Sequence, residues 1–188
     1  MLIAADGYAK ITDFGLSKEE ILGNVEANSF CGTPEYLAPE TIMRSGHGKA
    51  ADWWSFGAII YEMMTGLPPF YSKDRQKLYN NIKFGELKLQ PWLSDSAKDL
   101  FIKLLAKDPA DRLGGGPRDA EEIKEHSWFA GLNWEDLAAK RAKAPYVPHL
   151  DDCLDTKHFA SEFTNQEACH SNQNSQASSL GSNNSEMW

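Results

Sequence analysis

The chain has 188 residues, with 27 acidic and 19 basic side chains giving a formal charge of −8 at pH 7. At roughly 100 to 200 residues per domain, that length implies one domain or one domain with a tail, large enough to bury a core without disulfide staples. The acidic balance argues against a nucleic-acid binder, no apolar run is long enough to span a bilayer, and Cys31, Cys153 and Cys169 are too few and too irregularly spaced for a disulfide framework.

In chain order, Leu2-Ile3-Ala4 and the alternating Tyr8 to Thr12 flank Ala5-Asp6-Gly7, whose Asp-Gly step suits a tight hairpin turn. The hairpin ends at Asp13. From Phe14 to Pro39 neither a helical nor a strand period persists, which predicts a long irregular loop of the kind that carries function. Ala50 to Thr65 is apolar on nearly every face, predicting a buried helix that stops at Gly66 before Pro68-Pro69. Asp74 to Phe84 reads as a more polar helix closed by Gly85. Ser94 to Lys107 sets Ala97, Leu100, Phe101, Leu104 and Leu105 at helical spacing, the clearest amphipathic pattern in the chain.

Asp119 and Glu122 stand three apart like a capping box at the start of a short helix to His126. The Gly114-Gly115-Gly116-Pro117 run before it is a connector, since no Lys-Ser or Lys-Thr follows to make a phosphate loop. From Trp134 the helical signal fades, and Pro145 and Pro148 predict an extended strap over another surface. Lys140-Arg141-Ala142-Lys143 reads as a solvated face. Beyond Thr164 the Ser, Asn and Gln content predicts disorder. The N-terminus has no signal-peptide character, and the cysteine usage points to a reducing, cytoplasmic or nuclear compartment.

Two motifs bracket the long loop: Asp13-Phe14-Gly15 at its start, and Gly32-Thr33-Pro34-Glu35-Tyr36-Leu37-Ala38-Pro39-Glu40 at its end, followed by Asp52-Trp53-Trp54-Ser55-Phe56-Gly57. Each alone is weak, but the order Asp-Phe-Gly, loop, Ala-Pro-Glu resembles a signature set of protein kinases. Ser29-Phe30-Cys31-Gly32 before Thr33, and a tail with Phe159 and Phe163, are similar to the AGC group of Ser/Thr kinases, the protein kinase B and ribosomal S6 kinase branches in particular.

The resemblance implies a mostly helical kinase C-lobe over residues 1–129 with one small β-hairpin and no N-lobe, an AGC C-terminal tail over 130–164, and a disordered end over 165–188. It implies Mg²⁺-ATP as cofactor, with Asp13 as the metal ligand, Phe14 packed behind it, Gly15 completing the triplet, and Phe159 against the adenine pocket. Ser29 would be the activation-loop phosphosite, a target for an upstream kinase, with Lys18 as its phosphate partner. Thr33 would support the catalytic aspartate. Glu40 would pair with Arg112 in a buried bridge, and Asp52 would cap backbone donors from inside the helix. Glu62 has two readings, a core acid with a local partner or a subsite for a substrate arginine, and the second would select protein substrates with Ser or Thr near basic residues.

Trp53, Trp54 and Phe56 read as core, Cys31 as a small packing residue, and His47, His126, His149, His158 and His170 lack metal-ligand spacing. The sequence contains no Gly-rich phosphate loop, no Lys–Glu pair for ATP, and no catalytic loop with an Asp base and an Asn metal ligand. Phosphoryl transfer depends on that positioning and charge stabilisation, so these 188 residues alone are expected to show no turnover. Two functions follow as alternatives: the C-terminal portion of an ATP-dependent Ser/Thr kinase, or a non-catalytic lobe that binds substrates or regulators. An apolar surface is expected where the kinase N-lobe would pack.

Overall fold

The computed structural model describes residues 1–17 and 31–166. The expectations for Lys18, Ser29 and the Ser/Asn/Gln-rich end beyond Gln166 lie outside them. Over the described residues the fold is mostly helical with one two-stranded antiparallel sheet. Its strands, β1 (Leu2–Ile3) and β2 (Ala9–Lys10), pair Leu2 with Lys10 and Ile3 with Ala9. The turn is closed by Gly7 N–H donating to Ala4 O at 2.8 Å and by Asp6 accepting from Tyr8 N–H.

Among the described residues seven α-helices follow: α1 (Pro39–Met43), α2 (Ala50–Thr65), α3 (Arg75–Phe84), α4 (Asp95–Leu104), α5 (Ala120–Lys124), α6 (Trp134–Ala138) and α7 (Ser161–Thr164). Helix α2 is the central element and ends at Gly66, as its stop signal predicts. Trp54 and Ala58 are fully enclosed and Tyr61 nearly so, Trp54 stacking on Phe70 with centroids 5.6 Å apart. The helix is not buried all round: Met63 is exposed and Trp53, Phe56 and Ile59 are half-buried, because the neighbouring helices cover only part of its circumference.

Helix α4 lays Ala97, Leu100, Phe101 and Leu104 into the core, each of the larger side chains contributing about 1.5–3 kcal/mol by leaving water. The crossing of α2 and α4 is tight at Gly57, where an added Cβ would stand 2.8 Å from Leu104 Cβ. Ser94 caps α4 through Ala97 N–H, and Asp74 caps α3 through Lys77 N–H at 2.7 Å. The ammonium of Lys107 closes the other end of α3, donating to Ile82 O at 2.6 Å and Asn81 O at 3.2 Å.

Several expected features differ. Helix α4 ends at Leu104 rather than Lys107, because the carbonyls of Ala106 and Lys107 turn aside to accept from the Arg112 guanidinium. Asp119 does not cap α5: its carboxylate takes the Trp53 indole N–H at 2.7 Å and Lys49 at 3.4 Å, while Glu122 accepts from Gly114 N–H. Tertiary partners thus win over the local capping box. Asn133 caps the short α6 through Asp136 N–H, a start signal hidden by the loss of apolar periodicity beyond Trp134.

The tail does lie on another surface, but over a short stretch. Tyr8 donates its hydroxyl to Ala142 O, Lys140 bridges Asp6 at 2.5 Å, and Gly7 sits under the backbone of Tyr146. Beyond this clasp the apolar side chains Leu154, Phe159 and Phe163 are exposed. Among the described residues, no helix is long and apolar enough to cross a membrane.

Candidate functional site

The site is assembled around the turn that precedes α1. Pro34 sets the backbone for a 3₁₀ turn over Pro34–Tyr36, closed by Tyr36 N–H on Thr33 O at 3.1 Å and Leu37 N–H on Pro34 O at 3.3 Å. The turn is fastened to α2 at two heights. Ser55 Oγ donates to Tyr36 O at 2.8 Å, and the Tyr36 hydroxyl donates to Glu62 Oε2 at 2.6 Å. Ser55 and Glu62 are seven residues apart, two helical turns, and so share one face of α2.

This bond raises the Tyr36 phenol to about 12, because ionising it would remove the donor and set a second negative charge beside Glu62. Burial adds to the same effect. Glu62 therefore has a local partner, yet its other carboxylate oxygen has none among the described residues, so both of its expected roles are compatible with this geometry.

Behind the turn, Ala38, Pro39 and Glu40 are buried at the start of α1. Glu40 accepts two hydrogen bonds from Arg112, 2.6 Å from Nη1 and 2.9 Å from Nη2, and both residues are at least 97% enclosed, with 3% and 2% of their surfaces exposed. Arg112 also donates to Ala50 O at 2.7 Å and Ala106 O at 3.1 Å. One guanidinium thereby joins α1, the first residue of α2 and the segment after α4. Thr33 is exposed, and its side chain does not cap the 3₁₀ turn.

Asp13 follows β2 with φ of 65°, a left-handed conformation that a short polar side chain tolerates better than most. Its carboxylate is exposed and shares no hydrogen bond or ion pair with Thr33, Glu40 or Glu62. One unengaged hard oxygen donor fits Mg²⁺, which is commonly held by one or two carboxylates together with substrate phosphates. No cluster of three or more His, Cys, Asp or Glu residues that could hold a metal without such phosphates occurs among the described residues.

Three expected side-chain placements are corrected here. Phe14 does not pack behind Asp13: it is 66% exposed, since none of the described residues covers it, and only its carbonyl is engaged, by Ser17. Asp52 lies exposed on the first turn of α2 rather than inside the helix packing, and its carboxylate accepts no hydrogen bond among the described residues. Crowding by the fold pushes that carboxyl above the ordinary aspartate range, with Asp119 adding repulsion and His47 opposing it. Cys31 is likewise exposed instead of packed. Phe159 stands 55% exposed in the turn before α7, and Gly15 follows Asp13 with room around its Cα.

Sequence reasoning did not single out Tyr36 as part of the site. The available signal was the seven-residue spacing of Ser55 and Glu62, two polar residues on one stripe of an otherwise apolar helix. It also passed over an open cavity of about 370 Å³ beside the same turn, lined by Pro34, Glu35, Ser72, Lys73, Arg75 and Leu78.

Comparison with known proteins agrees with this arrangement. Residues 1–129 match the protein kinase domain family. The RAC-beta serine/threonine-protein kinases of Rattus norvegicus and Homo sapiens are each 46% identical to the chain over 166 residues, and RAC-beta serine/threonine-protein kinase B of Xenopus laevis is 45% identical over the same length. These alignments cover 88% of this chain but only 34% of each relative, so the chain spans about a third of the length of the curated relatives it matches. With the turn, the buried Glu40–Arg112 bridge and the ordered motifs in place, the chain belongs to the protein kinase family, in its AGC-type Ser/Thr branch.

Proposed function

We propose that this chain carries the activation-segment and substrate-binding portion of an ATP-dependent Ser/Thr protein kinase. The observation that supports this most directly is the fastening of the Thr33–Tyr36 turn to α2 through Glu62. It presents a rigid peptide-facing edge with an acidic oxygen available to a substrate guanidinium. Asp13 would hold Mg²⁺, which neutralises phosphate charge when bound. Thr33 would steady the catalytic aspartate, Phe159 would approach the adenine, and Phe14 and Gly15 would set the position of Asp13. Ser29, with Lys18 opposite, would take phosphate from an upstream kinase and order the loop. Substrates would be proteins with Ser or Thr near basic residues, in the cytoplasm or nucleus.

The 188 residues alone are proposed to lack turnover, for want of a phosphate-binding loop and a base. A second reading, a non-catalytic lobe binding substrates or regulators, is favoured by the exposed apolar row Leu2, Ile3, Ile11, Phe14 and Leu16, which offers a surface to another protein segment. An immunoblot of the endogenous protein with an antibody against the Ser/Asn-rich end separates the two. A band much heavier than 21.0 kDa, immunoprecipitating with kinase activity that Asp13→Ala abolishes, supports the enzyme. A single band at that mass without activity supports the binding lobe.

A further inference from the structure

The cavity beside the Pro34–Tyr36 turn has walls of opposite charge. One wall is the turn itself, with Pro34 and Glu35. The other is the lead-in to α3, with Ser72, Lys73 and Arg75, and Leu78 forms an apolar floor. At about 370 Å³ it accommodates a few side chains of an extended peptide. The two walls do not neutralise each other: no ion pair joins Glu35 to Lys73 or Arg75 among the described residues. Lys73 is exposed and has no acceptor among them. Arg75 donates through Nε to the Tyr79 hydroxyl at 2.9 Å, a bond that fixes the guanidinium while leaving its terminal nitrogens for a ligand.

An acid supplied by a ligand would gain two cations from different backbone positions, one of them a guanidinium already oriented by Tyr79. The N-terminus of α3 itself is already taken by the Asp74 carboxylate, which accepts from Lys77 N–H, so the attraction rests on the two cations. We infer that this cavity is an acid-recognising subsite, in which Lys73 and Arg75 bind a carboxylate side chain of an extended protein segment lying along the Pro34–Tyr36 turn. The inference deepens the substrate-binding reading and rests on it. It adds a requirement that a purely base-directed site lacks: the preferred segment carries an acidic residue as well as basic ones, spaced so that the acid reaches α3 while a base remains beside Glu35 or Glu62.

The test uses the full 188-residue chain and fluorescein-labelled twelve-residue peptides with a central Ser, two Arg on its N-terminal side, and Asp placed at each other position in turn against an all-Ala reference. Binding is read by anisotropy at low salt. Asp at one or two adjacent positions should tighten binding about three- to tenfold, and the gain should fade with added salt. In Lys73→Glu/Arg75→Glu the gain should vanish, and Lys at the same peptide position should restore it. Both substitutions lie at exposed positions, and an acid in the first turn of α3 suits the helix dipole, so circular dichroism should show an intact fold.

If the Arg-bearing reference binds but no Asp position improves on it, or the improvement survives the charge reversal, the subsite is overturned while the substrate-binding reading stands. If no peptide binds, acidic ones included, both are overturned. If phosphoserine improves binding where Asp does not, the site takes phosphate and the carboxylate assignment is overturned.

Discussion

Arg112 grips Glu40 with two hydrogen bonds of 2.6 and 2.9 Å across 72 residues of chain, and the pair is almost wholly enclosed. A charge buried this deeply is tolerable only while its partner is present, so the two residues make the placement of α1, and with it the turn before it, an all-or-none matter. Arg112→Ala should cost about 3–5 kcal/mol, because it strands Glu40 and also the carbonyls of Ala50 and Ala106. At about 2–4 °C per kcal/mol for a chain of this size, the melting temperature should fall by roughly 6–20 °C. Glu40→Gln/Arg112→Met should be less damaging than Arg112→Ala, since no lone charge remains. A double variant that melts below the single would show that the bridge is not the cause.

The Tyr36–Glu62 bond has a spectroscopic signature. A folded pKa raised above the ordinary tyrosine value means that the bond's contribution is complete below pH 10 and is lost as pH rises through about 12. Ultraviolet difference titration of the wild type against Tyr36→Phe should isolate a phenol ionising at about 12. In Glu62→Gln the same phenol should move back toward 10, as the carboxylate is the leading cause of the shift. An unmoved phenol would separate Glu62 from Tyr36.

Lys107 should act in a different pH window. Burial holds its ammonium down at about 8 from 10.5, so between those values the unfolded chain binds the extra proton. Its contribution to stability should therefore rise as pH increases from about 8 to 10.5. Urea midpoints of wild type minus Lys107→Met should climb across that range and be flat below it. The variant should also fray α3, whose terminal carbonyls at Asn81 and Ile82 lose their donor. A flat difference would mean that Lys107 is solvated in the folded chain.

The clasp between hairpin and tail should open on a single substitution. Gly7 has φ of 83°, and a Cβ there would stand 2.3 Å from Tyr146 O and 2.6 Å from Ala144 Cβ. Gly7→Ala should release residues 140–147, seen as faster hydrogen exchange and new cleavage by trypsin at Lys140 and Lys143, with the core helices unaffected. Lys140 holds the Asp6 carboxyl below its usual range, so the bridge is complete at neutral pH and weakens as pH falls through the lowered value. Protection of the clasp should drop in acid and in high salt. Unchanged protection in Gly7→Ala would show that the tail is held elsewhere.

Much of the fold was legible in the order of residues because its signals are local. Ser94 and Asp74 cap their helices through neighbours three residues away, Gly66 and Gly85 stop the chain where the apolar pattern ends, and the Asp-Phe-Gly to Ala-Pro-Glu order is written along one contiguous stretch. Those elements need only a few residues in sequence to form, so spacing and residue type suffice.

What tertiary structure decided involves partners far apart in the chain. Asp119 abandons a cap three residues long for an indole 66 positions away, because a half-buried Trp53 N–H needs an acceptor more than an exposed helix start does. Arg112 ends α4 early by taking two of the carbonyls that follow it. Phe14 sits exposed despite an apolar side chain that favours burial, and Asp52 is crowded by the fold without gaining a hydrogen-bond donor among the described residues. Glu62 meets Tyr36 only because α2 and the Pro34 turn lie side by side, and the opposed charges of Glu35, Lys73 and Arg75 come together only because the lead-in to α3 faces the same turn. Local patterning determined which elements form; the competition among buried polar groups for partners determined where the site's charges stand.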